Sequence, residues 1–298
     1  MIHLEAFLQS KRSERTRMHY RTILYSYFDY CKARNVEIMS ADSVVDYVHN
    51  LKGLSQGTID NRIACLKSYF AFLSDLDVKP IVKLKNRLPR GNSDSCRPTN
   101  GLSDEEVRAI VDSIDLNTAC GIMHVCLIKL ILFTGIRISE VQGLKDSDII
   151  KDGKRLTIRV LGKGNKYRVI PLQDSIAELV SKYLASRVYT VTSVTAQPSA
   201  DSRLQVPLFS IDGINPLHKN TIRNILKKYC DIAGITKKIS PHSLRVTCVS
   251  NMLENNANPI YVQYMGGWTN MNMVLKYDRR RQEIKNSAAF LVNYGVRK

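Results

Sequence analysis

Apolar positions recur at helical spacing in four runs over the first 88 residues: Leu4 to Leu8, Arg15 to Arg34, Asp42 to Leu51 and Thr58 to Leu76, with polar breaks at Asn35, Gly53 and Gly57. This pattern predicts a small helical bundle. From Pro89 to Gly101 turn formers dominate and apolar residues are scarce, the composition of a linker. The chain is therefore expected to divide into a bundle over 1–88, a linker over 89–101 and a second domain over 102–298. Ser103-Asp104-Glu105-Glu106 opens that domain with a capping box, in which Ser103 and Glu106 satisfy each other's free backbone donors and start a helix at Asp104. An almost wholly apolar helix, about Ile122 to Thr134, stops at Gly135. The period then shortens to two: Leu156-Thr157-Ile158-Arg159-Val160 and Tyr167-Arg168-Val169-Ile170, punctuated by Asp152-Gly153 and by Gly162 to Asn165, read as part of a three-segment antiparallel sheet. Beyond Pro171 helices return. One carries Ile222, Ile225, Leu226, Tyr229 and Ile232 on a single face, and another runs from Leu244 to Leu253. Thr190 to Leu204 reads as a surface insertion. The expected fold is mostly α with a small antiparallel β-sheet in the second domain.

With 298 residues, two domains of ordinary size fit, and 44% hydrophobic with 24% charged residues places the chain among globular proteins. Charge changes the picture further. Lys plus Arg number 44 against 27 Asp plus Glu, a net +17, divided as +6 over residues 1–90 and +11 over the remainder. So basic a chain favours a polyanionic partner, nucleic acid before lipid. The longest apolar run, Val125 to Phe133, is interrupted by Lys129 and falls short of a bilayer span, so no membrane partner is expected. Met1-Ile2-His3-Leu4-Glu5 has neither the basic nor the apolar region of an export signal, which predicts a cytoplasmic, DNA-associated protein. Seven scattered cysteines without a C-x-x-C pair indicate reduced thiols and no zinc knuckle. No H-E-x-x-H pair or two-metal acidic cluster is present, so metal-free chemistry without a cofactor is expected.

Arg137, in Thr134-Gly135-Ile136-Arg137-Ile138-Ser139-Glu140, reads alone either as an ion pair with Glu140 or as an anion-binding group. Leu161-Gly162-Lys163-Gly164-Asn165-Lys166-Tyr167-Arg168 lacks the spacing of a nucleotide-binding loop and leads into a strand. It reads as a hairpin tip, either simply solvated or able to carry the Lys163 ammonium into a DNA groove. Pro241-His242-Ser243-Leu244-Arg245 places His242 and Arg245 three apart, on one helical face. Gly266-Gly267-Trp268-Thr269-Asn270 holds the single tryptophan, with Tyr277 nine residues on and Arg279, Arg280 and Arg281 after it. Each has an ordinary structural reading when taken alone.

Taken in order, Arg137, Lys163, His242 with Arg245, Trp268 and Tyr277 resemble the tyrosine recombinase (phage integrase) family. The resemblance covers about Leu102 to Lys298, and the bundle is similar to that family's SAM-like core-binding domain. T-G-I-R-I-S-E and G-K-G-N-K-Y-R-V-I-P-L are Xer-like, whereas G-G-W-T-N-M-N-M-V-L-K-Y is Cre-like. Trp268 stands where a histidine is usual, and an indole donates a hydrogen bond without shuttling a proton. The resemblance implies a site-specific recombinase or integrase. Tyr277 would be the nucleophile of a 3′-phosphotyrosine intermediate, Arg137 and Arg245 would grip the phosphate, and Lys163 would protonate the leaving 5′-oxygen. His242 would take or orient the phenolic proton, Trp268 would hold a phosphate oxygen or buttress the tyrosine helix, and Glu140 would support Arg137 and His242.

It further implies a two-domain clamp on double-stranded DNA with an inverted-repeat core site. Arg12, Arg15, Arg17, Lys67, Lys83, Lys85, Arg87, Arg90, Lys166 and Arg168 are the expected DNA contacts. Four protomers on two sites would exchange strands through a Holliday junction, with a C-terminal helix, about Gln282 to Tyr294, docking on a neighbour. The absence of a segment ahead of the bundle favours simple core sites over distant arm sites. A type IB-like topoisomerase and a non-catalytic DNA-binding regulator on the same fold are the alternatives.

Overall fold

A computed structural model describes residues 3–76, 100–162, 164–187 and 206–278. Contacts divide the chain into two compact units, residues 1–98 and 99–298. The first is a bundle of α1 (Leu4–Gln9), α2 (Glu14–Arg34), α3 (Ala41–His49) and α4 (Gln56–Ser74). Local chemistry fixes its helix ends. Ser40 and Ser55 accept the backbone N–H of Asp42 and Thr58, and Asn35 terminates α2 in the left-handed conformation that asparagine tolerates. Its core is aromatic, with Phe7, Tyr27, Tyr47, Tyr69 and Phe70 buried and meeting largely edge to face.

The second unit opens as its capping box requires: Ser103 N–H donates to Glu106 Oε2 at 2.7 Å and Glu106 N–H to Ser103 Oγ at 3.3 Å, starting α5 (Asp104–Asp112). At its centre is α6 (Ala119–Thr134), apolar on almost every side and packed against α8 (Asp174–Ser186) and α10 (Pro241–Glu254). Gly135 ends α6 at φ 61°, and a Cβ there would lie 3.4 Å from Cys248 Sγ on α10. The chain turns at once into the short α7 (Ile138–Gly143) and then into an antiparallel meander of β1 (Ile149–Asp152), β2 (Arg155–Leu161) and β3 (Tyr167–Pro171). Pairing of Ile158 with Ile170, and of Val160 with Arg168, sets which side chains face inward. Positive φ at Gly164 and Asn165 closes the β2–β3 turn.

Three further helices complete the described part of the unit: α9 (Lys219–Ile232), α11 (Pro259–Gly266) and α12 (Met271–Leu275). On α9 the buried face is Ile222, Ile225, Leu226 and Tyr229 with Cys230. Ile232 is a correction to the expected face, because the last turn runs past the core and leaves it 57% exposed. Val249, Leu253, Val262 and Val274 form a small second core that holds α10, α11 and α12 together, with Trp268 and Tyr277 against it. The expected insertion at Thr190 to Leu204 and the C-terminal helix around Gln282 to Tyr294 lie outside the described residues, as does most of the linker. No helix among the described residues is long and apolar enough to cross a membrane.

Candidate active site

The site is assembled at the C-terminal end of α11, where backbone carbonyls lack intrahelical donors and the helix dipole is negative. Three successive carbonyls there each accept from a different arginine. Arg168 Nε donates to Met265 O at 2.7 Å, Arg245 Nη2 to Gly266 O at 2.7 Å, and Arg137 Nη2 to Gly267 O at 3.0 Å. One helix end thus collects guanidinium groups from α10, from β3 and from the segment that caps α7. The two glycines make room. A Cβ on Gly266 would lie 1.9 Å from the Trp268 ring; one on Gly267, whose φ is 63°, would lie 3.0 Å from Arg168 Nη1 and 3.2 Å from Arg137 Nη1.

Among the described residues, Glu140 is the one carboxylate that these arginines share. As the third residue of α7 it accepts the Arg137 backbone N–H at 2.7 Å and Arg137 Nη1 at 2.8 Å, and its two oxygens also take Arg168 Nη1 at 3.0 Å and Nη2 at 2.8 Å. Burial alone would raise its carboxyl, yet the hydrogen bonds from Arg168 and the Arg137 backbone, with the Arg168 charge, hold it below the usual carboxylate range. Glu140 is therefore ionised at neutral pH. Three guanidinium groups against one carboxylate leave the centre net positive, which suits a phosphodiester and disfavours a cation.

The three arginines are not equivalent. Arg137 is 34% exposed in its side chain, whereas Arg168 is 6% exposed and paired face to face with Glu140. Arg245 is 2% exposed; its other amino group donates to Gly135 O at the end of α6, and Trp268 lies over its guanidinium with the ring centroid at 4.0 Å. Desolvation, followed by the charge of Arg137, lowers its pKa to about 10, so it remains a cation at working pH. Trp268 also meets Tyr277, ring centroids 5.5 Å apart, and the Tyr277 phenol acts electrostatically on Arg245. Ser250 Oγ on α10 donates to the Tyr277 carbonyl at 3.2 Å, fixing the backbone just beyond α12. His242, in the first turn of α10 one turn before Arg245, is exposed. Desolvation by the adjoining chain, then the charges of Arg245 and Arg137, lowers its pKa below the usual histidine value and favours the neutral ring.

Arg137, Glu140, Arg245, Trp268 and Tyr277 are thus brought together, with His242 at the margin. Glu140 is bonded to Arg137 and Arg168; no hydrogen bond to His242 is among its contacts. Arg168 is a correction. Expected at the DNA surface, it points inward because its register opposite Val160 puts it on the buried face with Ile170, and its charge is taken up by Glu140. Among the other expected DNA contacts, Arg12, Arg15 and Lys166 are exposed, Lys67 is half-buried, and Arg17 is half-buried with its Nε donating to Lys11 O. Lys163, Lys83, Lys85, Arg87 and Arg90 lie outside the described residues. Reading the residues alone missed the roles of Arg168, Gly266 and Gly267. An arginine at the same strand parity as Ile170 was the available signal for the first, and adjacent glycines directly before a tryptophan for the others.

Comparison with known proteins follows the same division of the chain. Residues 100–283 match the phage integrase family and residues 4–75 its N-terminal SAM-like domain. Among relatives, tyrosine recombinase XerC of Thermodesulfovibrio yellowstonii is 27% identical over 91% of this chain and 87% of its own. XerD of Halalkalibacterium halodurans is 29% identical over 92% and 91%. The fold is similar to that of the XerH site-specific recombinase bound to palindromic difH substrate in a post-cleavage complex, with TM-score 0.75 and 23% identity over 93% of this chain and 80% of that one. It is also similar to a lambda integrase dimer bound to a COC′ core site, with TM-score 0.66 and 15% identity over 94% and 95%. A match running through every segment that builds the site, together with a second over the bundle, means that this chain belongs to the phage integrase family, the tyrosine recombinases.

Proposed function

We propose that this chain is a site-specific DNA recombinase that cuts and rejoins strands through a phosphotyrosine at Tyr277. One observation carries the reading: Arg245, one arginine of a net-positive centre, is stacked on Trp268, whose ring meets that of Tyr277. The phenol oxygen attacks a scissile phosphate and forms the new O–P bond as the bond to the 5′-oxygen breaks, leaving a 3′-phosphotyrosine and a free 5′-hydroxyl. Because one phosphodiester replaces another, a 5′-hydroxyl from a partner strand can reverse the step and reseal without an external energy source. Arg137 and Arg245 carry donors toward the oxygens on which charge grows in the transition state. A tyrosine of ordinary pKa near 10 is protonated at pH 7. His242, kept neutral by its surroundings, accepts the proton, and Lys163, assigned by the resemblance, supplies one to the leaving oxygen.

The substrate in this reading is duplex DNA with inverted half-sites, held by four protomers on two sites that exchange strands through a Holliday junction. The test is covalent capture. Wild-type protein is mixed with a pool of randomised duplexes nicked next to the scissile position, so that a short product diffuses away and the adduct accumulates. Captured duplexes carrying inverted half-sites around a short spacer support the reading. Capture without sequence preference, together with relaxation of plasmids lacking any site, would replace it with a topoisomerase, and duplex binding without adduct would leave a regulator.

A further inference from the structure

We propose that Arg168 is a positioning residue for this reaction: it holds Glu140 and the Met265 carbonyl in one plane, and through them orients the Arg137 guanidinium that faces the phosphate. The inference rests on the reading of Tyr277 chemistry above but concerns a residue that does not reach the phosphate. Its three hydrogen bonds end on two elements. Nη1 and Nη2 take both oxygens of Glu140, on α7, and Nε takes Met265 O, on α11. The same Glu140 oxygens bind the Arg137 side chain and backbone, and Arg137 closes the ring on Gly267 O, two residues from Met265. Arg137 is thus held by two acceptors, and Arg168 fixes both: one directly, the other through the turn that contains it. A planar fork bound in this way cannot be replaced by a point charge, since an ammonium group cannot meet both carboxylate oxygens and the carbonyl in one fixed geometry. Without Arg168, the ionised Glu140 has Arg137 as its one remaining counter-charge among these partners. It is then expected to draw that guanidinium inward, away from the phosphate.

Arg168→Met and Arg168→Lys separate this role from simple core filling. The probe is a nicked duplex already captured by the wild-type protein. Positioning predicts that duplex binding stays within about twofold while single-turnover adduct formation falls about 10²-fold in the Met variant, the scale of a misplaced catalytic group. The Lys variant should lie between, about tenfold down. Core filling predicts the opposite order, with Met equal to or better than Lys, because only packed volume would then matter and the thioether fills it without burying an ammonium group. That order, or a wild-type rate in the Lys variant should Met fail to fold, overturns the proposal. Loss of binding in both variants would return Arg168 to the DNA contacts and also overturn it. A second readout needs no DNA. In arginine side-chain ¹⁵N spectra of the free protein, the Arg137 guanidinium signals should shift between the wild type and the Lys variant, as Glu140 turns from two arginines to one. Unchanged Arg137 signals refute positioning. If the wild type captures no duplex, the proposed function falls, and these spectra still decide the role of Arg168.

Discussion

Gly266→Ala should leave the chain folded and stop most of its chemistry. Gly266 is the last residue of α11 and lacks the positive φ of Gly267, so its backbone accepts an alanine, and helix propensity alone would favour the change by up to about 1 kcal/mol. The new Cβ, however, would stand 1.9 Å from Trp268 Cζ3 and 2.2 Å from Cε3, inside any permitted contact. The indole has to leave. With it go the stacking over Arg245, about 0.5–2 kcal/mol, and the contact with Tyr277, about 0.5–1.5 kcal/mol. The propensity gain offsets part of that loss, so the net destabilisation is about 0–3.5 kcal/mol, which thermal unfolding of the purified chain would measure. The effect on rate is larger. Removing one aimed donor from the developing charge costs about 10²- to 10³-fold, and displacing Trp268 also loosens the wall against which Tyr277 rests. Adduct formation on a captured nicked duplex should fall at least about 10²-fold with binding preserved. A Gly266→Ala protein that melts normally and cleaves at the wild-type rate would refute the placement of Trp268 and Arg245 in the site.

Other outcomes follow from the same geometry. Tyr277→Phe should abolish the covalent adduct in a denaturing gel while a mobility-shift assay shows unchanged binding. Arg245→Ala should cost cleavage at least about 10²-fold and also stability, about 1–3 kcal/mol for each of the Gly135 and Gly266 carbonyls left without its donor, visible as a lower melting temperature. For His242, the folded pKa lies below the usual value, so the folded state binds fewer protons than the unfolded one. Its contribution therefore favours folding at higher pH and is lost as pH falls through the ordinary histidine range, and cleavage should rise with pH to a plateau whose midpoint lies below 6.5. His242→Gln should remove that midpoint from the pH–rate profile. Duplex affinity should fall about 10³- to 10⁵-fold between 50 and 200 mM salt if about 6–10 phosphates are neutralised, as fluorescence anisotropy would report.

What the sequence revealed and what it hid divide along the range of the interactions. Ser103 with Glu106, Gly135 after Thr134, and the Gly164-Asn165 turn act within a few residues, so the helix starts, the end of α6 and the hairpin were readable directly. The four helices of the bundle were readable because their apolar periodicity is strong, with ends displaced by up to two residues. Arg168 was not readable in the same way. Its direction depends on the register of β3 against β2, and the charge that makes its burial tolerable comes from Glu140, on another element. The roles of Gly266 and Gly267 are also long-range: each leaves space for a side chain that arrives from elsewhere or folds back over it. Glu140 was expected to serve Arg137, as it does; that it divides its oxygens between two arginines follows only from the meeting of α7 and β3.

The central claim is an ester between the Tyr277 oxygen and DNA. The most direct measurement is mass spectrometry of the protease-digested adduct formed on a nicked duplex. The account requires a peptide containing Tyr277 joined through its phenol to a 3′-phosphate. A nucleotide carried on Tyr264 or on any other residue, or a captured duplex with no protein–phosphate bond at all, would contradict it.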